Sequence, residues 1–131
     1  MNFNEYQTEA TKTWKNAEPL DRQDARVVNW ALGVANEAGE LAGEIKHVAF
    51  HGEKLNKMKI AKEVGDVLWY LSSLCQSIGI SLADCAELNV VKLRHRHGDS
   101  FSFEGSHKRH ANEMALESTA EYKRIRNRIL D

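Results

Sequence analysis

Apolar residues recur every three or four positions along most of this chain, and that spacing predicts amphipathic α-helices. The longest stripe covers residues 24–49, and a second stripe of similar width covers residues 60–78. A shorter pattern follows Ser81. Together with the acidic residue three positions later, Ser81 resembles a capping box, which is typical of a helix N-terminus. The predicted helices cover residues 3–16, 24–49, 60–78, 82–97 and 112–130.

The residues between these stripes are typical of helix ends. The single proline, Pro19, lies in the predicted break after the first helix, and His51-Gly52 lies at a predicted turn. Gly79 suits a left-handed helix cap. We therefore expect an all-α helical bundle built on a long antiparallel helical hairpin, with four core helices and a C-terminal helical extension. The apolar face of the last predicted helix is thin, so that helix needs a partner surface.

The composition is that of an ordinary single domain. The chain has 131 residues, of which 42% are apolar and 28% are charged. We expect a functional domain over residues 1–110 and a helical extension over residues 111–131. The first residues lack a secretory signal, and the longest apolar run, 67–71, is too short to cross a bilayer. These features predict a cytoplasmic protein without a membrane partner, in which Cys75 and Cys85 are reduced core thiols.

The net charge of −1 conceals an asymmetry along the chain. Residues 1–91 carry nine Lys or Arg and thirteen Asp or Glu, whereas residues 92–131 carry nine and six together with four of the six histidines. The overall balance argues against a protein that coats nucleic acid. The basic segment is nevertheless suited to meeting a local negative charge.

Two acidic pairs lie symmetrically about the predicted turn. Glu37 and Glu40 are three residues apart on the second helix, and Glu63 and Asp66 are three apart on the third. The pairs 37 with 66 and 40 with 63 share the midpoint 51.5, where the turn is predicted. An antiparallel hairpin therefore brings four carboxylates to the same level, and Glu44 extends the acidic rim.

Four like charges at a half-buried seam repel and raise each other's pKa values unless a cation lies among them. Carboxylate oxygens select hard ions such as Mg²⁺ or Mn²⁺, which proteins commonly share with substrate phosphates. The alternative is that these are solvated surface carboxylates paired with Lys46, Lys59 and Lys62. The symmetry of two acidic pairs about one turn favours the metal site.

Several motifs, in order, resemble those of one protein family. They are NEAGELAGEIKHVAFHG, KEVGDVLWYLSSL, GISL and NVVKLRHRHGDSF, and the similarity covers about residues 5–109. The set is similar to that of the MazG-like all-α nucleoside triphosphate pyrophosphohydrolases. The family pattern is EExxE followed, after a spacer, by ExxD. Here Asn36 replaces the first glutamate, and Arg96-His97 stands where the family often has Arg-Tyr.

The resemblance implies hydrolysis of (deoxy)nucleoside triphosphates between the α and β phosphates, which yields a monophosphate and pyrophosphate in nucleotide-pool control. It implies Mg²⁺, or Mn²⁺, as cofactor and a homodimer or homotetramer as assembly. Asn89 and Lys92 match the family's NxxK element and are implied to contact the nucleotide, and Arg96 would add positive charge. Glu37 or Glu40 would orient the attacking water. The residues expected to bind metal and to carry catalysis are Glu37, Glu40, Glu63 and Asp66.

The family builds its base pocket from the first helix and the start of the second. In this chain that segment offers Trp14, Asn29, Trp30 and Gly33. A tryptophan can stack on a base, but a core role is an equal alternative for each of the two tryptophans. Asn29 is a candidate for hydrogen bonding to the nucleoside only if it faces the metal site.

Other motifs support other functions less well. His47 and His51 have the spacing of helical zinc ligands but lie at the predicted turn. Glu104 and His107 form a single ExxH motif, where di-iron bundles use two, in a segment predicted to be a poor helix. The basic run at residues 92–97 makes a nucleic-acid-binding protein one alternative, and a non-catalytic helical interaction module is another. Neither alternative explains the symmetric carboxylates.

Overall fold

The fold is known from a computed structural model, which describes residues 1–14, 23–98 and 100–131. All regular elements in these ranges are helices, as the sequence predicts. They form two compact units, Met1–Gly79 and Ile80–Asp131. The predicted functional boundary after residue 110 stays a prediction. In chain order the helices are α1 (Phe3–Thr11), α2 (Gln23–His51), α3 (Lys57–Ser77), α4 (Leu82–His97), α5 (Phe103–His107), α6 (Arg109–Glu117) and α7 (Ala120–Leu130).

The first unit is built on the hairpin of α2 and α3. The turn follows α2 at Gly52, whose φ of 70° favours glycine, and Asn56 then caps α3 by accepting hydrogen bonds from two backbone N–H groups. Across the seam, Lys59 Nζ lies 3.4 Å from Glu44 Oε2. The ring of Tyr70 lies against Gly33, where an added Cβ would overlap it. Both contacts have the antiparallel register predicted from the turn.

Helix α1 packs on α3 and is shorter than predicted. Its last backbone bonds tighten to the i,i+3 type, and the hydroxyls of Thr11 and Thr13 donate to carbonyls three residues earlier at 2.8 and 2.7 Å. Such side-chain bonds compete with the helix, so α1 ends at Thr11 rather than at residue 16. The predicted break around Pro19 lies outside the described residues.

The apolar stripe of α2 is only partly covered within the first unit. No side chain of residues 25–51 is fully buried. Val28, Leu32 and Ile45 are exposed by 56%, 66% and 47% of their surface. Val28 and Leu32, which lie one turn apart on the same side of α2, therefore remain open to solvent, whereas Ile45 lies on a different side of the helix.

The second unit packs α6 and α7 against α4. Its core contains Val91, Leu116 and Ile125, and Ile125 is completely buried. The single predicted helix over residues 112–130 is wrong, because the chain breaks after α6 and Thr119 caps α7 by accepting from Tyr122 N at 3.2 Å. Helix α4 supplies the partner surface that the thin apolar face requires.

Helix α5 is a second departure from the sequence prediction. The segment that contains Glu104 and His107 is helical, not irregular, because Ser102 Oγ caps it by accepting from Gly105 N at 3.1 Å. Gly105 is buried, and an added Cβ would overlap the backbone carbonyl of Arg96. Glycine therefore permits the close approach of α5 to the end of α4.

Two expectations from composition can also be compared with the structure. Neither cysteine forms a disulfide, and Cys75 is buried, but Cys85 is only half-buried. In the parts of the chain that the structure describes, no helix combines the length and the apolar character that crossing a bilayer requires.

Replacing Gly105 by alanine should destabilise the second unit. The new methyl group meets backbone atoms that cannot move aside, so we expect a loss of about 1–3 kcal/mol in the free energy of unfolding. Gly43→Ala is the matched control, because its Cβ would enter open space in mid-helix and should stabilise by about 0.5–1 kcal/mol. Denaturant titration followed by circular dichroism measures both. A Gly105→Ala protein as stable as the wild type would contradict the close approach.

Candidate active site

Three carboxylates converge across the hairpin seam. Glu37 of α2 and Glu63 and Asp66 of α3 each offer an oxygen, and these oxygens all lie within 4.8 Å of one another. Glu37 and Glu63 are half-buried, and Asp66 is exposed. The antiparallel register brings them together, because residues 37 and 66 are equidistant from the turn.

The fourth predicted carboxylate, Glu40, lies beside this cluster. Asn36 Nδ2 donates to Glu40 Oε1 at 3.0 Å, and its 3.4 Å contact with Glu37 Oε1 is longer. The asparagine that departs from the family pattern is therefore an amide donor to both acidic residues of α2. A glutamate there would instead add a fifth negative charge.

The cluster carries little compensating charge from the protein. Among the ion pairs of the described residues, none involves Glu37, Glu40, Glu63 or Asp66, whereas Glu44 pairs with Lys59. The pKa of Glu63 is raised, first by partial desolvation and then by the negative charges of Glu40 and Asp66. The ion pair with Lys59 therefore neutralises Glu44 at the edge of the site, but no ion pair of the described residues neutralises the clustered carboxylates.

This donor set fits a hard divalent cation. The cluster consists of carboxylate oxygens, it joins two rigid helices, and one member is open to solvent. A cation there would offset the mutual repulsion that raises the pKa of Glu63.

Aromatic rings form a second cluster on the same hairpin. Trp14 stacks on Trp30 with centroids 5.4 Å apart, and Trp30 also meets Trp69 and Tyr70. Trp14 Nε1 donates to Ser73 Oγ at 3.0 Å, whereas the buried Nε1 of Trp30 has no hydrogen-bond partner among the described residues. The two tryptophans thus pack together.

Asn29 is exposed, and it lies seven residues before Asn36. Two helical turns separate these positions, so both lie on the same side of α2. Asn29 therefore lies on the same side of α2 as Asn36, and its role toward a nucleoside stays a prediction.

The remaining predicted site residues belong to the second unit. Asn89 and Lys92 line a groove of α4 together with Glu113 and Glu117 of α6. Arg96 is largely buried, and its Nη2 lies 3.0 Å from Glu113 Oε1. Their roles toward a substrate stay predictions.

His97 stands where the family often has tyrosine, and it has a structural partner. Its Nδ1 accepts a hydrogen bond from Ser102 N at 3.2 Å, which ties the end of α4 to the cap of α5.

About half of the basic side chains after residue 91 are neutralised within their own unit. Among the described residues, five of the nine lysines and arginines form ion pairs with carboxylates of α4, α5 or α6. Arg128, for example, pairs with both Asp84 and Glu87, and these bonds lower the pKa of Glu87. This segment is therefore less available to external phosphates than its charge count suggests.

Comparison with known proteins identifies the family. The family model of the MazG nucleotide pyrophosphohydrolase domain matches residues 28–101, more than half of the chain. The chain belongs to this family. The match covers α2, α3 and α4 and includes all four carboxylates. The expected resemblance to MazG-like proteins is thus confirmed.

One curated relative is the Gene 37 protein of Mycobacterium phage L5. It is 29% identical over 69 residues, which cover 50% of this chain and 60% of the phage protein. The match thus spans about three fifths of that relative's length. No solved structure matches the chain significantly.

Sequence reasoning missed three residues near the MazG carboxylates. Asn36 was noted only as a departure, although its spacing of four from Glu40 could have indicated a hydrogen bond. Tyr70 is four residues after Asp66, one turn along the same helix. Tyr6 donates to Gly65 O at 3.5 Å, and no local spacing could have predicted this contact between α1 and α3.

Removing one carboxylate should stabilise the metal-free protein. Because the folded-state pKa of Glu63 is raised, wild-type stability should fall as pH rises through that pKa, and Glu63→Gln should lose this dependence. Without metal at neutral pH, Glu63→Gln should therefore melt at a higher temperature than the wild type. MgCl₂ should raise the melting temperature of the wild type more than that of the variant.

Thermal unfolding in EDTA and in MgCl₂ measures both effects. Glu9→Gln is the control, because Glu9 is exposed on α1 and pairs with Lys12 rather than with the cluster. Equal responses of the wild type and Glu63→Gln to MgCl₂ would show that this cluster does not bind the ion.

Proposed function

We propose that this MazG-family protein hydrolyses (deoxy)nucleoside triphosphates between the α and β phosphates, with Mg²⁺ or Mn²⁺ as cofactor, and so contributes to nucleotide-pool control. The observation that carries the proposal is the convergence of Glu37, Glu63 and Asp66, none of which forms an ion pair with a described lysine or arginine. Family membership supports the reaction class. The same observation argues against a purely structural interaction module, which has no use for repelling carboxylates.

In this proposal Glu37, Glu63 and Asp66 hold the cation. When bound, it would offset the charge of the triphosphate and lower the pKa of a nearby water molecule. Glu40 is the better candidate for the base, because it lies outside the group of three and Asn36 orients one of its oxygens. Its other oxygen can accept the proton of water as the water oxygen bonds to the α-phosphorus and pyrophosphate leaves.

The aromatic cluster is the proposed site for the nucleoside. Trp30 is seven residues before Glu37 on α2, about 10 Å along the helix axis, within reach of a nucleotide whose phosphates lie at the carboxylates. The Nε1 of Trp30 could donate to a base or sugar oxygen. Trp14 would contribute as the ring stacked on Trp30, and Asn29 as an exposed polar neighbour.

Asn89 and Lys92 are proposed to contact the phosphates. Lys92 forms no ion pair among the described residues, unlike Arg96, so we assign Lys92 the larger role. The pairing of five other basic side chains of this segment makes nucleic-acid binding the weaker alternative.

Incubation with each of the eight common nucleoside triphosphates and MgCl₂ tests the reaction. We expect a monophosphate and pyrophosphate, and a loss of at least about 100-fold in kcat/KM for Glu40→Gln and Asp66→Asn. Glu9→Gln should retain full activity, since Glu9 lies outside the cluster. Release of orthophosphate, or full activity of both cluster variants, would contradict the proposal.

We also propose a homodimer, or a tetramer of such dimers, formed through the exposed face of α2 that carries Val28 and Leu32. These two residues expose large apolar side chains on one side of this helix, and no described residue of the first unit buries them. Burial against a second copy would remove this surface from water.

A charged residue on that face should weaken the assembly. We expect Leu32→Lys to shift the mass measured by light scattering toward the monomer, because association would bury the new charge. Met114→Lys is the control, since Met114 is 66% exposed on α6, outside this face. A wild-type monomer, or an unchanged mass for Leu32→Lys, would contradict this interface.

A further inference from the structure

Tyr6 links α1 to the turn of α3 that carries two of the clustered carboxylates. Its hydroxyl lies 3.5 Å from the carbonyl oxygen of Gly65, and Gly65 lies between Glu63 and Asp66. The Tyr6 hydroxyl donates this hydrogen bond, and the Gly65 carbonyl oxygen accepts it. Helix α1 lies outside the segment that matches the MazG family, so the family match does not account for this contact.

Gly65 lowers the intrinsic helix propensity of this turn of α3. A Cβ at this position would meet no atom within 4 Å, so neither steric crowding nor a positive φ requires glycine. Glycine in a helix interior nevertheless increases backbone freedom. The two carboxylates on either side of it must stay close to Glu37 despite their repulsion, and a bond to the Gly65 carbonyl from outside the helix restrains that turn.

We propose that Tyr6 is a positioning residue for the carboxylate cluster, which acts by restraining the Gly65 turn of α3 through its hydrogen bond to the Gly65 carbonyl. This inference rests on the proposed cation site. It gives α1 a part in metal affinity, although α1 supplies no carboxylate to the cluster.

A second hydrogen bond between the N-terminal segment and α3 allows a matched comparison. Trp69 Nε1 of α3 donates at 2.8 Å to Oγ1 of Thr13, which lies two residues beyond the end of α1, and this bond does not involve the Gly65 turn. Thr13→Val therefore removes a link of the same kind, and Tyr6→Phe removes the link to the turn. If Tyr6 only packs α1 on α3, both variants should behave alike.

Binding of Mn²⁺ alone, measured by calorimetry without nucleotide, tests the inference directly. We expect Tyr6→Phe to weaken Mn²⁺ binding about tenfold, as the loss of an outer hydrogen bond does at other metal sites. Thr13→Val should bind Mn²⁺ as the wild type does. Thermal unfolding in EDTA, recorded for every variant, shows whether each still folds.

A double variant separates restraint of the turn from direct contact with the ion. Gly65→Ala fits the open space and stiffens the helix, so Tyr6→Phe/Gly65→Ala should recover most of the lost Mn²⁺ affinity. The inference is overturned if Tyr6→Phe binds Mn²⁺ like the wild type, if Thr13→Val loses as much affinity, or if Gly65→Ala restores none. A wild-type protein that binds no Mn²⁺ would instead contradict the proposed function itself.

Discussion

The central constraint on the first unit is that its helix packing must offset the repulsion among the carboxylates at the α2–α3 seam. Glu37, Glu63 and Asp66 stay within 4.8 Å of one another because the two helices pack in a fixed antiparallel register. The turn at Gly52 and the contact of Tyr70 with Gly33 set that register. The packing energy of the hairpin therefore offsets an unfavourable charge cluster, an arrangement typical of functional sites.

Membership of the MazG family gives this cluster a chemical meaning. The matched segment, residues 28–101, includes most of α2 and all of α3 and α4. Helix α1 and the helices α5, α6 and α7 lie outside it. The added helices serve different purposes. Helix α1 contacts the carboxylate turn through Tyr6, and α6 and α7 cover the apolar face of α4 with a core around Ile125. Each unit thus contains helices that the family match does not cover.

The hairpin and its carboxylates could be predicted because both follow from periodic spacing. Two stripes of equal width and a turn at residue 52 are enough to place residue 37 opposite residue 66. The end of α1 and the helix α5 could not be predicted, because side-chain hydroxyls and a buried glycine decide them locally. The contact of Tyr6 with Gly65 depends on tertiary packing between distant residues, which spacing does not report.

An anomalous difference map from crystals grown with Mn²⁺ and a non-hydrolysable nucleoside triphosphate analogue tests the central claim most directly. We expect a manganese peak coordinated by Glu37, Glu63 and Asp66, with oxygens of the analogue's phosphates completing the coordination. A map with no peak at this cluster, or with manganese bound only elsewhere on the protein, would contradict that claim.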